Sequence, residues 1–418
     1  MIPVHFGSDI IELDIPQENL AFNLHTAESP PATDEKAEIR QSIEHPVGCE
    51  RLRDMVPANA SVVILGDDRT RLTPQDKIVP VVLEELYAAG VKREQIRIII
   101  AYGTHRPMTQ EEIVAKYGSE VVSDIEIRHH DCLDAANLVD HGVTRRGTRI
   151  FVNKECLEAD IRIGIGSVIP HYPTGWSGGA KILLPGVAGG DTTYAMHMLG
   201  VSEQALGQIT SPVRDEMEDF AREVGLHFIV NVLHNAQGQV IRSFAGHCVK
   251  AHRAAVQQGL NMYGAPFAEK ADITLSSTWP VDFDLTQSSK GLFSAECVTK
   301  PGGEIILLSP CHEGIAPTHG DEMLRLALYD NDVIQYMIEK KDVQDPLGAT
   351  ECMYYNLIKN KFKATVMMDK ATTESLGFFH LSPVDLPIYI KLRLENNNML
   401  KIGIINQSTE ILPIFRAQ

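Results

Sequence analysis

Ser61–Leu65 (SVVIL) runs without a break into the polar loop Gly66–Arg71 (GDDRTR). The same grammar recurs at Ile96–Ala101 (IRIIIA) before Tyr102–Pro107 (YGTHRP), and at Ala159–Gly166 (ADIRIGIG) before the long loop Ser167–Lys181. A short apolar run with no polar alternation is the pattern of a strand buried on both faces. A helical stretch from about Pro74 to Ala89 separates the first two, and Thr109 with Glu112 forms a capping box ahead of Ile113 and Val114. Strands of this kind alternating with helices predict βαβ units around a parallel sheet. Leu226–Leu233 reads as a further strand.

Working outward, the pattern restarts near residue 270. Ala271–Ser276, Gly303–Ser309, Ala364–Met368 and Pro387–Arg393 read as strands, with a helix over Gly320–Tyr329 between them. Tyr263–Lys270 (YGAPFAEK) reads as the link. The expected fold is α/β in two domains, each with a mostly parallel sheet flanked by helices. The boundaries are 1–268 and 269–397, with 398–418 packing back on the first domain. A length of 418 residues suits two such domains.

Composition narrows the function classes. Hydrophobic residues make up 44%, enough for buried cores. Lysine plus arginine is 38 against 55 aspartate plus glutamate, a net charge of −17. That field repels nucleic acid and anionic lipid, so neither is expected as a partner. An anionic substrate then needs a local cationic pocket. No apolar stretch reaches the roughly 20 residues of a membrane helix. The N-terminus has no basic region before an apolar block, and the seven cysteines show no Cys-x-x-Cys. A reducing cytoplasm is therefore the expected compartment.

In open parallel sheets ligands bind beyond the carboxyl ends of the strands. The three loops there carry Asp68, Arg71, His105, His171 and Lys181. Each alone has a bland reading: a surface pair, a helix lead-in, a lysine reaching solvent. Three in succession point to a site. Ser177–Lys181 (SGGAK) is glycine-rich enough to approach a phosphate, but the Gly-Lys-Ser/Thr of a Walker A loop is absent, as is a Gly-x-Gly-x-x-Gly dinucleotide turn. A partly buried Lys181 could serve as a nucleophile or a covalent anchor. His129-His130-Asp131-Cys132 resembles a metal cluster by composition, yet neighbours in an extended segment point to opposite sides, so surface or core is the expectation. Cys311-His312-Glu313 reads as loop.

The combined run DDRTR…YGTHRP…HYPTGWSGGAKILLPGVAG…MH resembles the nickel-dependent lactate racemase family, which also holds other 2-hydroxyacid racemases and epimerases. His171 lies ten residues before Lys181 and His197 sixteen after it, spacings that fit the family pattern. Gln287–Gly291 (QSSKG) resembles its Gln-x-x-Lys-Gly segment. The resemblance implies Rossmann-like domains with the active site in the cleft between them. It implies the nickel–pincer nucleotide, nickel(II)–pyridinium-3,5-bisthiocarboxylic acid mononucleotide, as cofactor. Lys181 would tether it, His197 would ligate the nickel, and Asp68, Arg69, Thr70 and Arg71 would cradle it. His105 and His171 would be the acid/base pair of a hydride-transfer isomerase. Arg71, Thr286, Gln287 and Lys290 would bind a small 2-hydroxy acid, and separate biosynthetic proteins would load the cofactor.

Three departures bear on the substrate. Ala180 stands where an arginine is expected, Thr286 replaces a tyrosine, and no tryptophan falls near Ala349. They point to an acid larger or more polar than lactate, such as malate, hydroxyglutarate or a sugar acid. Lactate itself is the alternative. A non-catalytic carrier of the nucleotide would need Lys181 and His197 but neither the histidine pair nor Gln287 and Lys290.

Overall fold

The computed structural model describes residues 1–27 and 29–416. The chain divides into two compact units. One contains the stretch up to Ile169 that follows Ala27, together with Pro173–Asn261; the other contains Met1–Ala27, Pro170–Tyr172 and the chain from Met262 on.

The first unit is built on a six-stranded sheet. Its spatial order is Val240–Gly246, Phe228–His234, Ile161–Ser167, Val62–Gly66, Ile96–Ile100, Glu126–His129. All pairs are parallel except the Val240–Gly246 edge. The apolar runs are continuous because both faces are covered. Ile64, Ile98 and Ile163 pack into one core, while Val63, Leu65, Ile99 and Ile229 pack into another on the opposite side. Each such side chain, buried whole, contributes about 1.5–3 kcal/mol. From Val62–Gly66 the chain adds strands to one side, and from Ile161–Ser167 to the other. The topological switch therefore lies between these two strands, where ligands gather in open α/β sheets.

The second unit holds another six-stranded sheet, in the order Phe379–His380, Lys363–Val366, Thr299–Leu308, Ala271–Ser277, Ile402–Ile405, Leu20–Leu24, with every pair parallel. Two features depart from the linear reading. The N-terminal strand Leu20–Leu24 pairs with Ile402–Ile405 at the sheet edge, and the tail strand Leu412–Phe415 pairs with Gly264–Phe267. The tail thus packs within the second unit rather than on the first, and the stretch expected to be a link holds a strand. Such partners lie far apart along the chain and leave no local signature.

Pro387–Arg393 is also not a strand. Leu386–Asn396 is a helix, with proline in its first turn, where a missing N–H costs nothing. Leu386 and Ile390 recur at helical spacing and are buried in the core under the sheet, with Leu394 beside them. The two-residue alternation of PIYIKLR masked that longer period.

Phe22 anchors the N-terminal strand over Gly403, where an added Cβ would lie 2.0 Å from the Phe22 ring. Gly403→Ala is expected to cost about 1–3 kcal/mol by overpacking. Thermal or urea unfolding should show this loss shrinking when Phe22→Ala is added. Additive losses would mean that residues 20–24 do not pack there.

Candidate active site

The Val62–Gly66 strand ends in two adjacent carboxylates that serve different purposes. Asp67 accepts from Thr73 Oγ1 at 2.5 Å and Gln75 Nε2 at 2.9 Å, and lies 3.2 Å from Lys116 Nζ. Its carbonyl takes the Tyr117 hydroxyl at 2.9 Å. Lys116 Nζ also donates to the Arg71 carbonyl at 2.5 Å. These bonds fold Gly66–Arg71 into one shape, since a buried carboxylate must be paired.

Asp68 is 3% exposed and aims the other way. Its Oδ2 lies 2.7 Å from His105 Nδ1, and its Oδ1 accepts the Thr70 amide at 2.8 Å and the Thr70 hydroxyl. Arg71 donates to Thr70 Oγ1 at 2.9 Å. Burial alone would raise the Asp68 pKa. The charge and hydrogen bond of His105, with Arg71 and Thr70, instead hold it well below the usual carboxylate range. Asp68 thus stays ionised and accepts the hydrogen bond of His105 Nδ1–H, which fixes the orientation of that ring.

The loop bearing His105 is fastened at several points. The Gly103 amide donates to the Gly186 carbonyl at 2.9 Å, and the His105 amide to the Tyr102 carbonyl at 3.1 Å. Tyr102 hydroxyl receives the Met108 amide at 3.0 Å and lies 2.9 Å from His129 Nδ1. Burial pushes the Tyr102 phenol up to about 12. Arg106 grips Glu112 through both nitrogens at 2.8 and 2.6 Å, and Arg69 lies 3.4 Å from the same carboxylate. The capping box at Thr109 and Glu112 forms as its spacing predicts.

Lys181 sits in the short turn Gly179–Ile182, partly buried. Gly178 and Gly179 before it have φ of 74° and 59°. A Cβ on Gly178 would meet Val168 at 2.6 Å and Asn231 at 2.9 Å, so the close approach needs glycine. The Gly179 amide donates to Asn231 Oδ1 at 2.8 Å, fixing the turn to the Phe228–His234 strand. His197 lies partly buried on helix Gly190–Ser202, with its Nδ1 shielded from solvent. The cluster-like pair diverges as expected: His129 turns to Tyr102, while buried His130 places Nε2 3.0 Å from the Ala188 carbonyl, and burial lowers its pKa to about 4.

The first unit thus brings Asp68, Thr70, Arg71 and His105 together at the switch point and turns Arg69 to Glu112. His171 is 9% exposed and lies in Pro170–Tyr172, grouped with the second unit. In that unit, Asp284 caps the short helix Leu285–Ser288 by accepting the Gln287 amide at 2.8 Å. Lys290 Nζ donates to Gln287 Oε1 at 2.5 Å. Thr286 hydroxyl lies 3.2 Å from the Ile315 carbonyl. Gly291 is needed for close packing, since a Cβ there would meet Ser408 Oγ at 2.5 Å and Ser276 Oγ at 2.9 Å.

Comparison with known proteins places this arrangement. Residues 6–207 match the family model of the lactate racemase N-terminal domain, and residues 267–383 that of the lactate racemase C-terminal domain. The chain belongs to the lactate racemase family. It is an enzyme of the racemase type. It is 32% identical over 304 residues to the lactate racemase of Lactiplantibacillus plantarum, covering 71% of this chain and 70% of that one. It is 29% identical over 355 residues to the lactate racemase of Thermoanaerobacterium thermosaccharolyticum, covering 83% and 80%. The solved apoprotein structure of a lactate racemase from that organism matches with TM-score 0.87 at 26% identity, covering 99% of both chains. A Thermotoga maritima structure shares the fold at TM-score 0.73 and 17% identity, covering 93% of this chain and 100% of that one.

Within this family member, the reading of single loops missed the groups that support them. Asp67, Lys116 and Tyr117 shape the Asp68 loop, and His319, Asp345 and Glu351 stand in the same unit as Lys290. Asp345-Pro346 carried one signal, an N-cap before a first-turn proline; the others announce themselves only through contacts.

The Glu112 carboxyl is drawn down to about 2, chiefly by the Arg106 hydrogen bond. A depressed carboxyl contributes stability that is complete above the usual glutamate value of about 4.3 and lost as pH falls through the folded-state value. The gap in urea midpoint between wild type and Glu112→Gln should therefore be full at neutral pH and close between about pH 4 and 2. A gap that persists at the acid end would show that the Arg106 pairing contributes nothing.

Proposed function

We propose that the chain inverts carbon 2 of a 2-hydroxy acid, as a racemase or epimerase, on an acid larger or more polar than lactate. The observation that carries this reading is the Asp68–His105 pair. An ionised, buried Asp68 oriented on Nδ1 leaves His105 Nε2 to take the hydroxyl proton of the substrate and to return it. His171 serves the opposite enantiomer, whose hydroxyl lies on the other side. Lys290 and Gln287 hold the carboxylate by charge-assisted hydrogen bonds, with Arg71 as a further cation. Each cation supplies, within its own unit, positive charge that a net charge of −17 otherwise denies an anion.

Removing a proton from carbon 2 would place negative charge beside a carboxylate, whereas removing a hydride as the hydroxyl gives up its proton leaves a neutral carbonyl. The residues fit a resident nickel–pincer nucleotide. Gly178 and Gly179, packed against Val168, Asn231 and His252, hold the turn that carries Lys181 as the tether, and the His197 imidazole suits nickel. Asp68, Arg69, Thr70 and Arg71 would hold its nucleotide portion. When bound, the group supplies the hydride acceptor. Loading requires separate biosynthetic proteins, and a reducing cytoplasm suits the sulfur arms.

The substrate preference rests on Thr286 and Ala349. The Thr286 hydroxyl is directed to the Ile315 carbonyl, and Ala349 is fully buried on its helix. Thr286 is small where the lactate enzyme of the family has a tyrosine, and the stretch near Ala349 holds no tryptophan. Lactate as substrate remains the second reading, favoured by the names of both relatives.

His105→Ala and His171→Ala are each expected to lower turnover of the loaded enzyme about 10²-fold or more, the usual scale for a lost acid/base group. Chiral chromatography of a panel of enantiopure hydroxy acids gives the rates, and near wild-type rates in both variants would end the mechanism. Intact-mass and peptide mass spectrometry of protein made alongside the cofactor-building enzymes should show an adduct on Lys181, lost in Lys181→Ala. An adduct mapped to another residue would displace Lys181 as the tether.

A further inference from the structure

Resting on the reading above, we infer that His319 and Glu351 form a second polar pole, which reads hydroxyl groups beyond carbon 2 and selects a polyhydroxy acid. Both stand in the unit that holds Lys290 and Gln287. The helices Lys290–Val298 and Pro346–Lys359 each follow a strand of the same parallel sheet, and they meet where the Phe293 and Tyr354 rings lie edge to face at 6.1 Å. Lys290 is one turn before Phe293, and Glu351 one turn before Tyr354. Residues three apart share a helix face, so the two stand at corresponding levels. The Glu351 carboxyl accordingly feels the charges of Lys290, His319, Asp284 and Asp345.

His319 adds the second group. Its Nδ1 lies 2.6 Å from Asp345 Oδ2, while Asp345 Oδ1 caps the next helix by accepting the Leu347 amide at 3.1 Å. The imidazole is 12% exposed, and its Nε2 is buried with no hydrogen-bond partner among the described residues. With Nδ1–H given to Asp345, a neutral ring presents Nε2 as an acceptor. A buried acceptor without a donor is costly, and a substrate O–H supplies one. Burial pushes the Glu351 carboxyl up to about 7. It is therefore available near neutrality both protonated and ionised, able to donate to or accept from a hydroxyl.

The charge balance discriminates among larger acids. Asp284 and Asp345 stand against Lys290, with Glu351 partly ionised beside them, so a second carboxylate on the substrate meets like charge, while hydroxyls meet donors and acceptors. The methyl of lactate would leave His319 Nε2 and Glu351 unsatisfied.

The test uses the whole protein, in calorimetric titrations with D-gluconate, lactate and malate, and the loaded enzyme for kcat/KM on the same acids. Gluconate is expected to exceed lactate by about tenfold or more, the worth of one satisfied buried hydrogen bond. Glu351→Leu and His319→Phe should each cut that ratio about tenfold, with Glu351→Gln retaining most of it because an amide still hydrogen-bonds a hydroxyl. Malate as the best ligand, or a gluconate-to-lactate ratio unmoved by either variant, would overturn the pole. Flat ratios with turnover intact sink the pole and leave the racemase reading standing. A variant-sensitive preference in binding, without turnover of any acid, supports the pole and sinks that reading. No binding of any of the three acids rejects both.

Discussion

Two neighbouring carboxylates at the end of one strand, facing opposite ways, set the rest of the first unit's chemistry. The strand ends at Gly66, and Asp67 and Asp68 beyond it hold separate partners. Both are buried, and a buried carboxylate without partners is prohibitively costly. Each therefore recruits its own set. Asp67 takes Thr73, Gln75 and Lys116, and these bonds shape the loop. Asp68 takes Thr70 and His105, and these bonds fix the His105 ring against the loop. The structural demand of one residue delivers the other to its place.

The position of this pair follows from sheet topology. The strands on either side of the switch point send their following loops in different directions, which opens a crevice at the carboxyl edge. Both walls of that crevice depend on glycine. Gly178 and Gly179 let the chain turn against Val168 and Asn231 before Lys181, and Gly103 ties the His105 loop to Gly186. The second unit repeats the device on its own sheet, with Asp284 capping the helix that presents Gln287 and with Gly291 allowing that helix to lie close on Ser276 and Ser408. Membership in the lactate racemase family is consistent with both units, whose site segments fall inside the two matched regions.

Under the proposed function, the fixed cations bear on how an acidic protein would handle an anion. Arg71, Arg106 and Lys116 are each tied to a fixed oxygen near the His105 loop, and Lys290 is fixed on Gln287. Held cations lose little further freedom on binding, so their attraction is not offset by ordering costs. Distant surface carboxylates act through water and salt and are screened beyond about 10 Å.

Much was legible in order along the chain. The buried strands Val62–Gly66, Ile96–Ile100 and Ile161–Ser167, the capping box at Thr109, and the loops bearing Asp68 and His105 were all readable, because burial on two faces, capping and turn chemistry act within a few residues. What stayed hidden depends on distant partners. The pairing of Leu20–Leu24 with Ile402–Ile405, the helix at Leu386–Asn396 and the partners chosen by Asp67 are set by packing and by the pairing of buried charge, neither of which leaves a local pattern. Local sequence determined the doubly buried strands of the first sheet and the polar loops that follow them; the tertiary structure alone decided which carboxylate meets which base, because that is settled by the cost of burying a charge unpaired.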